Sequence, residues 1–451
     1  MNEALVSHHG PGHLWLASLG QRGMALGLTR IEAVLERLDR PDQQMPCVVV
    51  AGTDGKGSTS AMLASLLREA GLRVGHYTSP HLVETRERVR VGATCVTADV
   101  LDTALARVQA AAQDLEPTPF EALTAAALVA FADAAVEIAV LEVGLGGRLD
   151  AVNATEPIVS VVTHLSHDHT AILGKTLQQI AWEKTAVARD GRILVAAQAV
   201  LVKNALRKHN LTPRLLLVGQ HAQIAAGQLI GATWHQAGVL TGPVLPGPLE
   251  LEIALPGAHQ LENAALAILA YQGVAEAFEL AGRALPGIDE VVAALAESDW
   301  PCRAEVIATD PTVVLDAAHN PAGIAALAAL LAERGNRWQI VLAVRKDRVA
   351  ADLVRALAPV AAGFWLPRMV GDTLLDAAEL ARVVDAVAPG AQVAVASASR
   401  CLAQARTEAI PGCGVAITGS EHALGEWLQA GVIVSPRLNQ RLGLDPIGQK
   451  P

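Results

Sequence analysis

The stretch Gly52-Thr53-Asp54-Gly55-Lys56-Gly57-Ser58-Thr59 follows a short apolar run, Val48–Gly52. It precedes a helical pattern over Thr59–Ala70 that Gly71 closes. Glycines let a backbone curl so that several N–H groups point at one phosphate, and the helix N-terminus adds partial positive charge. Lys56 supplies a point charge, and Ser58 or Thr59 offers a hydroxyl to Mg²⁺. The spacing before the lysine is shorter than in the Walker form, and Gly57 separates Lys56 from Ser58. The plain alternative is a glycine-rich turn that binds nothing.

A second group lies further on. Glu142 ends an apolar run and is followed by Gly144, Gly146, Gly147, Arg148 and Asp150. Ligands of open α/β sheets bind beyond the carboxyl ends of the strands, so Glu142 could hold Mg²⁺ there. The alternative is a solvated carboxylate in a turn. His164, His167 and His169 crowd the end of the next run, with no cysteine partner and no H-E-x-x-H helix, which argues against zinc. His169 suits Mg²⁺ only if neutral; His164 and His167 read equally well as surface residues. Lys184, in mid-helix, reads on pattern alone as an exposed lysine.

Three further segments could meet these. Asn263 lies on a helix with an apolar face; a buried Asn must hydrogen-bond, and an adenine edge is one partner. Arg303 stands beside Trp300-Pro301 at an apparent boundary, where a cation could clamp phosphates as domains close. Asp316 and His319, in LDAAHNP, fall where a strand ends and a helix opens, with Asn320-Pro321 as its cap.

The elements that must position these residues alternate. β-branched runs bounded by turn residues interleave with helical patterns, which predicts a parallel sheet covered on both faces. The expected fold class is α/β: one large domain over 1–297 and a second, smaller α/β unit over 298–435. Residues 213–255 read as an antiparallel appendage and 436–451 as a loose tail. The run Ala122–Ala135, broken by Asp133, reads as a buried helix.

Composition excludes several classes. Half the 451 residues (51%) are apolar, too many for disorder. Net charge is −10 and aromatics are 3%, which argues against nucleic-acid binding and anionic membranes. Five cysteines (Cys47, Cys95, Cys302, Cys401, Cys413), an odd number without C-x-x-C spacing, fit a reducing compartment. The first residues lack a signal-peptide pattern, and no stretch reaches the ~18 apolar residues of a spanning helix. The expectation is a cytoplasmic monomer acting on small molecules.

Nine stretches in order resemble the folylpolyglutamate synthase/dihydrofolate synthase family of Mur ligases. They are VAGTDGKGST, YTSPHLVETRERVRV, TPFEALTA, LEVGLGGRLDAVN, SHDHTAILGKTLQQIAWEKTAV, PGAHQLENAALA, WPCRAEV, LDAAHNPAGIAAL and GSEHALGE, spanning about residues 27–428. The resemblance implies a Mur-ligase-like central ATP-binding domain with a smaller Rossmann-like C-terminal domain, and ATP-dependent amide formation through an acyl phosphate on a pterin or folate carboxylate, with L-glutamate as the amine. Gly52, Thr53, Gly55, Lys56, Gly57 and Thr59 would cradle the phosphates. Ser58, Glu142 and His169 would hold one Mg²⁺, and Lys184, carbamylated, would serve a second. Asn263, Arg303, Asp316 and His319 match nucleotide-contacting positions, with Asp316 and His319 beside the chemistry. Thr118, Phe120, Asp150 and Ala151 match a pterin pocket, where Phe120 would stack. Ser79, Pro80, His81, Arg86 and Arg88 match the substrate loop, and Lys346 and Ser420 the glutamate side.

The sequence also departs from that family. Asp54 replaces an Asn, Arg345 replaces an Asp, and Glu421-His422 follow the late Gly-Ser; Glu84-Thr85-Arg86 stand where the family has an Arg and an aromatic, which removes one anion contact unless Arg86 replaces that cation. These changes leave two other readings: a member repurposed for another carboxylate and amine, and a nucleotide-binding protein without catalysis.

Overall fold

Cys47–Ala51 (β1) is buried on both faces, as five consecutive small or β-branched apolar residues require. It lies inside an eight-stranded sheet in a computed structural model that describes residues 10–20, 26–335, 337–369, 373–409 and 414–445. The other strands are Val74–Tyr77 (β2), Val89–Val91 (β3), Thr94–Cys95 (β4), Ile138–Glu142 (β5), Val159–Val162 (β6), Ile193–Ala196 (β7) and Arg214–Leu217 (β8). Their order is β4-β3-β2-β5-β1-β6-β7-β8. From β2 to β8 every pairing is parallel; β3 and β4 add an antiparallel edge.

Alternation along β1 builds the two cores. Val49 and Ala51 pack with the helices Thr29–Arg37 and Pro119–Asp133. Val48 and Val50 pack with Lys56–Glu69 and His259–Leu280. The alanine-rich helix is buried nearly all round and starts in a capping box of Thr118 and Glu121. Because β1, β5 and β6 are neighbours in parallel, the loops after them emerge at one edge of the sheet. Those loops carry Lys56, the Gly144–Asp150 turn and His169.

A three-stranded antiparallel sheet follows: Gln223–Ile230 (β9), His235–Thr241 (β10) and Leu249–Ile253 (β11). The expected appendage is therefore shorter than 213–255. Its first run, β8, extends the large sheet by pairing parallel with β7. The second domain holds Glu305–Thr309 (β12), Thr312–Leu315 (β13), Trp338–Leu342 (β14), Ala361–Pro367 (β15), Gln392–Ala396 (β16) and Val415–Thr418 (β17). Their order is β12-β13-β17-β14-β15-β16, parallel except for the β12–β13 hairpin.

The tail departs from expectation as well. Ser435 caps a helix, Pro436–Arg441, whose Leu438, Asn439 and Arg441 are buried. A six-residue helix shows no periodicity to read, yet its cap and its side-chain partners hold it. Residues 446–451 lie outside the described residues, as do 1–9 of the amino-terminal stretch and Cys413. Among the described residues Cys47, Cys95, Cys302 and Cys401 are buried and free, and no helix is long and apolar enough to cross a membrane.

Candidate active site

The phosphate loop is shaped by close packing. Gly52 and Gly55 take φ of 149° and 85°, and each is crowded from outside. A Cβ at Gly52 would come within 1.8 Å of the Thr163 hydroxyl, and one at Gly55 within 2.2 Å of the Asn263 amide oxygen. The amides of Thr53 and Asp54 bond the His164 carbonyl at 2.9 and 3.2 Å. The helix starts at Lys56, three residues before the expected Thr59, so its first amides are free of intrahelical partners. Lys56 Nζ folds back over the loop, donating to the carbonyls of Gly52 (3.1 Å) and Thr53 (3.0 Å).

Lys184 is buried, at 4% exposure, because the helix Leu177–Thr185 turns it under the loop. Its Nζ donates to the Gly52 carbonyl at 2.7 Å. Burial, then the neighbouring Lys56 charge, lowers its pKa to about 7. The glycine turn after β5 braces this helix. The Arg148 amide donates to the Glu183 carbonyl at 2.8 Å, and its guanidinium pairs with Glu183 and lies over Trp182.

Glu142 is 3% exposed and accepts a bond from the Ser79 amide at 3.3 Å. Burial raises its pKa to about 7, with Lys56 opposing. A cation at that carboxylate would keep it ionised. His169, a residue with φ of 48°, has its pKa lowered by burial against Asp168, which favours the neutral ligand form. No three His, Cys, Asp or Glu side chains form a metal cluster among the described residues. The candidate set contains only Glu142 and His169 of these types, so substrate oxygens or a modified lysine would have to complete it.

One cavity of about 1310 Å³ runs between the two domains. Its wall includes Thr53, Gly55, Lys56, Gly57, Ser58, Ser79, Pro80, His81, Thr118, Phe120, Glu142, Asp150, Ala151, His169, Asn263, Arg303, Asp316 and His319. Asn263 joins Thr59 at 3.3 Å and Gln260 at 2.8 Å. Phe120 lies over Gly144, where a Cβ would meet its ring at 2.6 Å. Asp150 caps its own turn through the amides of Leu145 and Val152, and burial raises its pKa to about 6.

Four expected residues, Arg86, Arg88, Lys346 and Ser420, stand outside the wall, and two on it, Asp316 and His319, are partly committed to backbone groups. Arg86 is held by Glu84 at 2.5 Å and points to the Leu442 carbonyl, so it does not replace an acceptor contact. Arg88 acts through His81, donating to its Nδ1 at 2.9 Å. Lys346 is exposed outside the cavity, and Ser420 is buried as the cap of Glu421–Gln429. Asp316 spends its carboxylate on the amides of Ala304 and Ala318, both at 2.8 Å, and so shapes the strand end. The His319 Nδ1 bonds the Ala317 carbonyl at 3.0 Å, leaving Nε2 for a ligand.

The structure adds residues that pattern alone did not reveal. Arg348 of the second domain pairs with Asp168 of the first at 3.1 Å. Asn320 donates to Asp54 at 3.2 Å, and Ser166 to the same carboxylate at 2.6 Å. Asp54 thus faces the second domain. Glu421 sits 3.9 Å from both Arg303 and His319. Asp168 and Arg348 stand beside His169 and Asp347, and only that adjacency could have drawn notice.

Two Mur ligase domains account for this arrangement. The Mur ligase middle domain matches residues 50–271, and the Mur ligase glutamate ligase domain matches 302–421. A probable bifunctional folylpolyglutamate synthase/dihydropteroate synthase of Haloferax volcanii is 37% identical over 350 residues, 74% of this chain and 40% of that protein. The dihydrofolate synthase/folylpolyglutamate synthase of Bacillus subtilis is 30% identical over 391 residues, 81% of this chain and 88% of that one. The Escherichia coli FolC structure in complex with DHPP and ADP superposes with a TM-score of 0.81 at 26% identity, covering 93% and 97% of the two chains. A bifunctional folylpolyglutamate synthase/dihydrofolate synthase with Mn, AMPPNP and L-glutamate bound gives 0.80 at 27%, covering 96% and 100%.

The chain belongs to the folylpolyglutamate synthase/dihydrofolate synthase family of Mur ligases. It spans less than half the length of the Haloferax relative.

Proposed function

We propose that the chain is an ATP-dependent ligase that joins L-glutamate to the carboxylate of dihydropteroate, of a folate, or of both. The observation that carries this reading is the shared cavity. Its wall joins Lys56 and the loop amides, Glu142, Phe120, and Arg303 and His319 of the second domain.

A carboxylate is a poor electrophile because its charge is delocalised. One of its oxygens attacks the γ-phosphorus of ATP, and ADP leaves. The glutamate amine then attacks the acyl carbon, and inorganic phosphate leaves with the former carboxylate oxygen. Lys56 and the helix N-terminus offset the charge of the phosphates that would repel the acceptor. Bound Mg²⁺ would supply further electrostatic stabilisation, and Ser58, Glu142 and His169 are the residues to hold it. Phe120 offers a face for the acceptor ring. Closure about Arg348 and Asp168 excludes water from the hydrolysable acyl phosphate.

Lys184 is suited to carbamylation, which turns a cation into an anion able to serve a second ion. Its neutral amine is accessible near pH 7, and the buried site disfavours the ammonium.

The test follows an oxygen. An acceptor labelled with ¹⁸O in its carboxylate should yield inorganic phosphate carrying one ¹⁸O per turnover. Unlabelled phosphate with full amide formation would contradict the acyl phosphate.

A further inference from the structure

A line of polar groups, all buried except the partly exposed Asp299, runs from the phosphate loop to the C-terminal helix. The Gly57 carbonyl accepts from the Ser60 hydroxyl at 3.0 Å. The Ser60 oxygen lies 3.0 Å from His76 Nε2. His76 Nδ1 meets an Arg90 guanidinium nitrogen at 2.5 Å. Arg90 reaches Asp299 at 3.3 Å. Arg441 pairs with the other oxygen of that carboxylate and donates to the Asp299 carbonyl at 2.6 Å. Ser60 and His76 have no exposure, Arg90 has 1% and Arg441 has 5%.

The chemistry fixes a direction along this line. A guanidinium can only donate, so His76 Nδ1 accepts. The neutral imidazole then carries its proton on Nε2 and donates it to the Ser60 oxygen. The Ser60 hydroxyl hydrogen is left for the Gly57 carbonyl. Burial and then the Arg90 charge hold His76 well below the usual imidazole range, so it stays neutral. Burial would raise the Asp299 carboxyl, but Arg441 and Arg90 hold it far below the usual carboxylate range. Burial and Arg441 bring Arg90 down to about 10, so it remains a cation at neutral pH.

A second arm reaches the same glycine. The Arg441 guanidinium lies 4.5 Å from the centre of the Trp300 ring. The benzene edge of that indole lies on Gly57, where a Cβ would come within 2.4 Å of Cζ2. Gly57 is thus held from its carbonyl through Ser60 and from its α-carbon through Trp300. Both arms end on Arg441, about 380 residues later in the sequence.

We propose that Arg441 is a positioning residue for the nucleotide: through Asp299, Arg90, His76 and Ser60, and through Trp300, it fixes Gly57 so that the loop amides face the phosphates. This rests on the reading of the loop as an ATP site. Arg441 does not line the cavity. It sets the geometry of the group that does, and a misplacement of a fraction of an ångström weakens bonds that depend on alignment.

The experiment is a double-mutant cycle on the full chain with Ser60→Ala, Arg441→Met and the pair. MgADP binding is read by calorimetry, KM for ATP and for L-glutamate by initial rates, and folding by thermal melts. Each single change should weaken MgADP and raise the ATP KM about fivefold to tenfold, the scale of one lost buried hydrogen bond. The glutamate KM should stay within about twofold. The pair should be no worse than the larger single change, because both break one line. Additive losses, or folded variants with unchanged nucleotide affinity, would overturn the proposal. If Arg441→Met does not fold, Asp299→Asn takes its place in the cycle with the same two outcomes. A parent chain that binds no MgADP would overturn the ATP reading itself, and this proposal with it.

Discussion

Lys184 Nζ donates a 2.7 Å hydrogen bond to the Gly52 carbonyl. The helix after β6 and the loop after β1 are therefore joined at one atom, directly beneath the phosphate loop. Modifying that lysine would change both the charge and the support of the loop.

The amine titrates near pH 7, because burial and then Lys56 disfavour its charge. Its neutral form reacts with CO₂, so stripping CO₂ should slow ADP release and bicarbonate should restore it. Lys184→Met should be slow in both buffers. A parent rate indifferent to CO₂ would exclude the modification.

The same group has a consequence for stability. Its folded pKa, about 7, lies below the ~10.4 of an unfolded lysine. Between those values the unfolded chain binds more protons, so stability rises with pH across the window. The full penalty is present below about pH 7 and fades as pH rises. In CO₂-free buffer, urea melts at pH 7 and pH 9 should differ less for Lys184→Met than for the parent. An equal difference would mean another group dominates.

Among the described residues Lys56 bonds only backbone carbonyls of its own loop, so its removal should spare the fold. Lys56→Ala should lower kcat/KM by roughly 10³, the scale of one lost electrostatic donor. Its melting temperature should stay within about 2 °C of the parent's. An unaffected rate would mean that the phosphate loop is misassigned.

Phe120 is the aromatic face of the acceptor side. Phe120→Ala should raise the acceptor KM by about tenfold or more, for a loss of ~1.5 kcal/mol or above in apolar contact. The ATP KM should not move. A rise in both would place Phe120 in general support of the cavity.

Arg348 and Asp168 join the two domains at 3.1 Å, with side-chain exposures of 21% and 15%. Such a partly shielded pair is worth ~1 kcal/mol, so Arg348→Ala should cost about fivefold in kcat/KM for glutamate. Exchanging the charges, with Asp168→Arg and Arg348→Asp together, should recover part of the loss. No recovery would assign the effect to either side chain alone.

The phosphate loop was legible in the sequence because its determinants are local: glycines, a lysine and a following helix within eight residues. The parallel sheet was legible because β1, β5 and β6 are short β-branched runs. The burial of Lys184 was not, since helical periodicity puts it among exposed residues and only the packing of Leu177–Thr185 under Gly52 reverses that. Arg86 looked like an anion contact until Glu84, two residues away, was seen to hold it. The pairing of Arg441 with Asp299 spans 142 residues and leaves no local trace. β8 looked like part of the appendage because Pro213 precedes it and Gly219 follows it, whereas its pairing with β7 decides its sheet.

The most direct test of the ligase reading is product formation by the purified chain. It would be given MgATP and L-glutamate with either dihydropteroate or a reduced folate, and followed for ADP and for acceptor mass. The account predicts ADP release that needs both glutamate and one of these acceptors, with the acceptor gaining the mass of one glutamate residue per ADP. No ADP with either acceptor, or ADP without the heavier acceptor, would contradict it.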